Sequence, residues 1–342
     1  MSDRQARPEP SPPAWLIWAA LAVIYLVWGS TYLGIRVMVE TLPPLLGAGV
    51  RFLVAGSVLA GWLILRRGPS VLRASRGELA GAAMIGAALL LGGNGLVSLA
   101  ERTVPSALTA LIIASTPLWI VVLHWLTRER VTRTTLIGVV VGFAGVAVLI
   151  LPRGLAGEVD PIGMAMLVSA AAAWATGSLY SKRLALPADP FASAALQQLA
   201  GAVLLVAAGL ALGEGNRLDR ATFSARSVVA LGYLTVFGSL LAFTAYTWLL
   251  QHAPISKVAT YAYVNPIVAV ILGWLILSEE ITVTMLAGAG LVIGAVVLIV
   301  SRGRAPAAER PSGPGPERVE AEVAEEVAET GPVATAMPTD GR

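Results

Sequence analysis

Ten apolar stretches, each separated from the next by a short polar connection, account for most of this chain. They fall near residues 14–35, 44–65, 79–100, 104–126, 135–151, 160–181, 190–212, 227–250, 254–277 and 283–301. A hydrocarbon core of about 30 Å needs about 20 apolar residues in helical form, and helices are one of only two structures that satisfy their own backbone there. The short connections predict consecutive helices packed as antiparallel neighbours, with no large soluble domain inserted. The expected fold class is an all-α membrane protein with ten transmembrane helices.

Composition agrees with the pattern and removes other classes. Hydrophobic residues make up 56% of the chain and charged ones 13%, with a mean hydropathy of +0.75. Such a chain does not stay dissolved as a globular domain. The net charge of +3 and pI near 9.4 come from short Arg clusters between apolar runs, a topology signal and not a nucleic-acid patch. With no cysteine in the sequence, disulfides, thiolate nucleophiles, iron–sulfur clusters and Cys-based zinc sites are all excluded. The start, MSDRQARPEPSPPAW, is basic but has no clear small-residue cleavage site, so the first apolar run reads as an uncleaved helix.

If the runs alternate, fourteen cations collect on one side, among them Arg66, Arg67, Arg73, Arg76, Lys182, Arg183 and Lys257, against five on the other: Arg102, Arg153, Arg217, Arg220 and Arg226. The positive-inside rule then puts both termini in the cytoplasm of a cell (inner) membrane protein. Beyond Ser301 the chain becomes rich in Pro, Ala and Glu, with seven Glu and one Asp, a composition too poor in large apolar residues to fold alone. The expected organisation is a cytoplasmic segment 1–13, a first unit 14–152, a second unit 153–301 and a disordered acidic tail 302–342.

The two units repeat one another. WGSTYLGIR at 28–36 returns as WATGSLYSK at 174–182, with Pro44 matching Pro190 and Arg51 matching Gln197, all 146 positions apart. A second anchor pairs Pro105 with Pro254 and Pro117 with Pro266 at an offset of 149. Five spans per copy would make the second copy enter the bilayer from the opposite side, the inverted duplication of many transporters.

Ionisable side chains inside apolar spans are costly, which makes each a functional candidate. Arg36 ends the first helix and Arg51 begins the second. Glu101, at the junction of helices 3 and 4, is either a proton-coupling or gating group paired with Arg36 or Arg51, or an interfacial acid beside Arg102. Arg51 either snorkels to the headgroups or offers a partner to the carboxylate of an anionic or zwitterionic substrate. Pro117 and Pro266 should break their helices and free a carbonyl one turn earlier. Ser115 and Thr116 surround the first break, and Tyr261, Tyr263 and Asn265 the second. Broken helices at matching positions of two inverted halves point to a midplane site, although hydroxyls also satisfy kinked backbones. The paired Trp28 and Trp174 either line that cavity or pack. Asn94, between glycines, makes helix 3 thin and polar at mid-depth. Gly138 with Gly142, and Gly290 with Gly294, have GxxxG spacing and read as packing faces.

An enzyme reading fits poorly. A hydrolase needs a nucleophile and a base, yet the only histidines are His124, near the cytoplasmic end of helix 4, and His252, in a loop between helices 8 and 9, and no GxSxG, HExxH or phosphate-cradling GxxxxGK[ST] motif occurs. Nothing calls for a cofactor or a resident metal, and energy for transport would have to come from a gradient. The partners expected are a small-molecule substrate, the lipid bilayer and a proton as coupling ion.

WGSTYLGIR, PPLLGAGVRFLVAG, NGLVSLAER with VPSAL, GYLTVFGSLLAF and TYAYVNPIVAVILG together resemble the EamA family of the drug/metabolite transporter superfamily, in particular its YedA-type permeases. The likeness covers about residues 14–301. It implies two EamA repeats of five helices each around a central cavity, and export of amino acids, other small metabolites or drugs. One departure stands out: the family's Gly-Glu ending after each proline helix appears as Arg128–Glu129 and Ser278–Glu279, a position that reads as helix termination more than substrate contact.

Overall fold

The computed structural model describes residues 12–127, 132–155, 160–218 and 222–302. The chain divides into two units, Met1–Arg302 and Gly303–Arg342. The acidic tail, the Arg128–Glu129 pair and residues 1–11 of the N-terminal segment lie outside the described residues.

Among the described residues all regular structure is helical. The long elements are α1 (Ala14–Met38), α2 (Pro44–Arg67), α3 (Arg76–Ala100), α4 (Ser106–Leu126), α5 (Arg133–Leu155), α6 (Pro161–Tyr180), α7 (Pro190–Ala211), α8 (Ala225–His252), α9 (Tyr261–Leu277) and α10 (Val283–Arg302). Among the described residues eight helices are long and apolar enough to cross a membrane; Tyr261–Leu277 and Val283–Ile299 are shorter apolar helices. The starts are written locally: Pro44, Pro161 and Pro190 each open a helix, where the missing N–H costs nothing. Asp160 and Asp189 accept from the first free N–H groups of α6 and α7.

Two irregularities set the interior. In α3 the stretch Ala87–Gly95 winds as a π-helix, and so does Leu234–Phe243 in α8. They occupy equivalent places in the two copies, and π-turns inside α-helices are frequent at functional sites. The expected break at Pro117 is present as a turn at Ala114–Ser115, after which Pro117 sits in the first turn of the segment Thr116–Leu126. The Ile113 carbonyl that Pro117 frees is taken by the Thr116 hydroxyl at 2.7 Å. At Pro266 the helix is instead continuous, and its break lies upstream at Ala259–Thr260, after the short turn Ile255–Val258. The Asn265 amide, oriented to donate, holds the Tyr261 carbonyl of its own helix and the Tyr25 carbonyl of α1.

The packing is reciprocal. α2 lies on α7 and α5 on α10, each against its own counterpart, while α1 packs on α8 and α9 as α6 packs on α3 and α4. Small residues allow the closest approaches: a Cβ on Gly86 of α3 would stand 2.6 Å from the Gln197 carbonyl of α7, and one on Gly145 of α5 3.0 Å from the Gly288 carbonyl of α10. Gly138 packs against Ile299 and Ala295 of α10, and Gly142 against Leu118 of α4 and Ala295 of α10, the packing role expected of that pair. Gly290 and Gly294 meet nothing within 4 Å, so Gly288 is the α10 glycine at the seam.

The connections fall into two sets. On one face Glu214, after α7, accepts from Leu45 and Leu46 of α2, Thr41 meets Ser224, and Glu279, after α9, reaches Ser106 of α4. On the other, Arg67 pairs with Asp189 and Lys182 donates to the Ala253 carbonyl. The first is the Glu101 face and the second the Lys182 face.

Candidate functional site

Between the two repeats lies a cavity of about 50 Å3, lined by Trp28, Thr31, Tyr32 and Ile35 of α1, Arg51 and Phe52 of α2, Gly93, Asn94 and Val97 of α3, Ile113 of α4, Ala170 and Trp174 of α6, Gly238 and Phe243 of α8, and Tyr261 of α9. Both π-helical stretches contribute walls, since Gly93 and Asn94 belong to one and Gly238 and Phe243 to the other.

Arg51 is its one charged lining residue, and it is only 2% exposed. Its Nε donates to Ser239 Oγ at 2.6 Å and its Nη1 to Asn94 Oδ1 at 3.3 Å, and the guanidinium carbon stands 4.6 Å from the centroid of the Phe52 ring. Gly238 lets this happen, because a Cβ there would stand 2.9 Å from Nη2. The fork is therefore aimed by a hydroxyl, an amide and a ring, with no carboxylate partner among the described residues. A buried guanidinium without a counter-charge costs several kcal/mol, which the two hydrogen bonds and the Phe52 ring offset in part.

Toward the Lys182 face four rings close the cavity. Trp28 lies 5.3 Å from Trp174, 4.8 Å from Tyr246 and 5.5 Å from Tyr261, mostly edge to face. Their polar ends are already used: Trp28 Nε1 donates to the Gly238 carbonyl and Trp174 Nε1 to the Tyr246 hydroxyl, each at 3.2 Å, and that hydroxyl also meets Ser178 Oγ at 2.5 Å. The same glycine logic holds for Trp174, whose ring fills the space a Cβ on Gly93 would need.

Toward the Glu101 face, Arg36 donates to the backbone carbonyl of Glu101 and not to its carboxylate. Both carboxylate oxygens of Glu101 are buried without a hydrogen-bond partner among the described residues. Burial, with the nearby charge of Glu279, pushes this carboxyl well above the usual carboxylate range, and Arg36 opposes the shift only in part. Glu279 does more than end its helix. Its Oε1 accepts from the Ser106 N–H and hydroxyl at 2.8 Å and its Oε2 from the Ala107 N–H at 2.9 Å, clamping the end of α9 to the start of α4.

Of the residues singled out from sequence, the structure gathers Trp28, Arg51, Asn94, Trp174 and Tyr261 around one cavity. Ser115 and Thr116 are buried at the α4 break, Asn265 ties α9 to α1, and Tyr263 is partly buried against the core; these four are outside the lining. Gln197, the repeat counterpart of Arg51, bonds Ser193 of its own helix and is likewise not in the lining. Ser239 and Tyr246 were missed. Their only sequence signal is that polar residues stand inside an apolar span.

A bundle of apolar helices in two copies, joined around a cavity with a buried cation that has no carboxylate partner among the described residues, is the architecture of a membrane transporter. Comparison with known proteins is specific: the EamA-like transporter family matches residues 13–151 and again 161–301, and the chain belongs to that family. It is 38% identical to the "Uncharacterized inner membrane transporter YedA" of Escherichia coli (strain K12), over 83% of this chain and 90% of that protein. The "Uncharacterized transporter YvbV" of Bacillus subtilis (strain 168) is 27% identical over 83% and 92%. A Salmonella typhimurium protein named "Probable amino-acid metabolite efflux pump" is 23% identical over 85% and 97%. A solved crystal structure of another protein shares the fold, with a TM-score of 0.59 at 19% identity, covering 85% of this chain and 98% of that one.

Proposed function

We propose that this chain is a secondary transporter that exports a small organic solute, such as an amino acid, another metabolite or a drug, from the inner membrane by alternating access. The observation that carries the reading is Arg51, buried without a counter-ion among the described residues in a cavity enclosed by both repeats. The reciprocal packing supports ten spans in two inverted halves: the start of α2 meets the Glu101 face through Glu214, while the equivalent start of α7 meets the Lys182 face through Arg67. The Lys182 face carries most of the Lys and Arg, which supports cytoplasmic termini. The YedA relative is named as an inner membrane protein and the Salmonella relative as an efflux pump, which supports location and direction.

Small-molecule sites usually measure about 300–1,000 Å3, so a cavity of about 50 Å3 is a closed form that must widen to load. The aromatic quartet is then the barrier toward the Lys182 face, and the Glu279 clamp with the Arg36–Glu101 contact the barrier toward the other. Proton coupling through Glu101 is supported by its carboxylate, which is buried without a hydrogen-bond partner among the described residues and held above the ordinary carboxylate range. Reconstitution into proteoliposomes tests the reading. Saturable, trans-stimulated flux of a solute is the expected result. Flux that does not saturate would make the protein a channel, and no flux across a broad solute panel would make it a scaffold.

A further inference from the structure

The charged and amide groups that face the cavity are donors toward it, and the only side-chain acceptors beside them in the lining are the hydroxyls of Thr31, Tyr32 and Tyr261. A guanidinium has five N–H donors, and only two of those on Arg51 have partners among the described residues, Ser239 and Asn94. Asn94 uses its oxygen on Arg51, leaving its NH2 as a further donor. The indole N–H groups of Trp28 and Trp174 are committed elsewhere, and the Thr31 hydroxyl donates to the Trp28 carbonyl at 2.8 Å. No Asp or Glu lines the space. An anion would find unsatisfied donors and a fixed positive charge. An ammonium would find no carboxylate and would be buried beside a like charge, which is costly.

We propose that the solute recognised here is a small organic monocarboxylate without an ammonium group, its carboxylate paired with the Arg51 fork and the Asn94 amide and its apolar body against Trp28, Trp174 and Tyr261. The assignment rests on the transporter reading above and narrows it, because amino acids, with their ammonium groups, become poor ligands. It also explains the asymmetry of the repeats. The counterpart of Arg51 is Gln197, turned onto Ser193, so the two halves supply one anion receptor and not two.

Three probes of one carbon skeleton separate the possibilities: 4-methylpentanoate, leucine and 3-methylbutylamine carry the acid alone, both groups, and the amine alone. The purified full chain is unfolded thermally with each, at ionic strength matched by sodium chloride. 4-Methylpentanoate should raise the midpoint in a saturable way, and leucine and the amine should not. Arg51→Gln should abolish the rise, and Arg51→Lys, which keeps the charge without the fork, should retain part of it. Leucine matching the acid, no response to the acid, or an undiminished response in Arg51→Gln would each overturn the proposal. The first of these needs no variant to fold. Saturable leucine flux in proteoliposomes without an acid response would sink the monocarboxylate assignment and leave the transporter reading standing. Binding of the acid with no saturable flux of any solute would do the reverse.

Discussion

The Glu279 clamp can be tested by the exchange of two backbone amides. The start of α4 presents free N–H groups that have no intrahelical acceptor, and one carboxylate takes two of them together with the Ser106 hydroxyl, at 2.8, 2.8 and 2.9 Å. Hydrogen bonds to a charged acceptor contribute about 1.5–3 kcal/mol each, and the helix dipole adds about 0.5 kcal/mol for an anion at this end. Glu279→Gln leaves one good acceptor, which can keep Ser106, but turns an NH2 toward the Ala107 N–H. A local loss of about 2–4 kcal/mol follows, equivalent to roughly 30- to several-hundredfold faster exchange at Ala107. Hydrogen exchange read by mass spectrometry over that peptide is the assay. Glu214→Gln is the internal control: it should speed exchange at Leu45 and Leu46, whose N–H groups it holds at 3.1 and 2.8 Å, and leave α4 alone. The chain has no native cysteine, so a single reporter at Ile113 can also report whether releasing the clamp admits an impermeant thiol reagent to the cavity. Unchanged protection at Ala107 in Glu279→Gln would refute the reasoning, whatever happens to transport.

Glu101→Gln should flatten the pH dependence of stability. A carboxyl whose folded-state pKa is raised contributes fully below its unfolded value of about 4.3 and loses that contribution as pH rises through the folded value, at up to about 1.4 kcal/mol per pH unit. Thermal unfolding of both forms across pH 5–9 checks this, and uptake driven by a pH gradient should disappear in the variant if Glu101 couples protons. Gly86→Ala should destabilise by about 1–3 kcal/mol, since the new methyl meets backbone of α7, whereas Gly290→Ala, with open space around it, should be neutral or slightly stabilising by helix propensity. Equal melting shifts for the two would contradict the seam described here. Removal of residues 305–342 should leave transport rates unchanged at equal expression.

Much of this architecture was legible because membrane spans announce themselves by apolar length and the repeat by paired residues such as Trp28 with Trp174 and Pro44 with Pro190. Arg51, Asn94 and Tyr261 were legible for a related reason: polar atoms deep in apolar helices need a purpose. The π-helical stretches were not, because nothing in LLLGGNG or TVFGSLL distinguishes a π-helical turn from an α-helical one. Pro266 misled, since a proline inside a helix predicts a break, yet α9 stays continuous there and breaks at Ala259–Thr260. Ser239 and Tyr246 escaped because their importance lies in partners on other helices, Arg51 and Trp174.

Glu279 carries the same lesson further. Its sequence position marks the end of a helix, which is correct, but its carboxylate acts on a helix from the other repeat. The copies therefore meet at two kinds of place. Backbone seams, such as α2 on α7 and α5 on α10, pair each element with its own counterpart and follow the repeat. Side-chain contacts at the cavity and its margins do not: Arg51 has no twin, and Trp28 donates to a carbonyl while its counterpart Trp174 donates to a hydroxyl. A symmetric frame can exchange between two faces with similar effort, whereas recognition needs one site for one charge. Exchanging the residues at 51 and 197, Arg51→Gln with Gln197→Arg, separates the two requirements. If the frame is symmetric and the site is not, the double variant should fold and remain unresponsive to 4-methylpentanoate, because Gln197 faces Ser193 and lies outside the cavity. A restored response would place an equivalent receptor in the second repeat and refute the asymmetry.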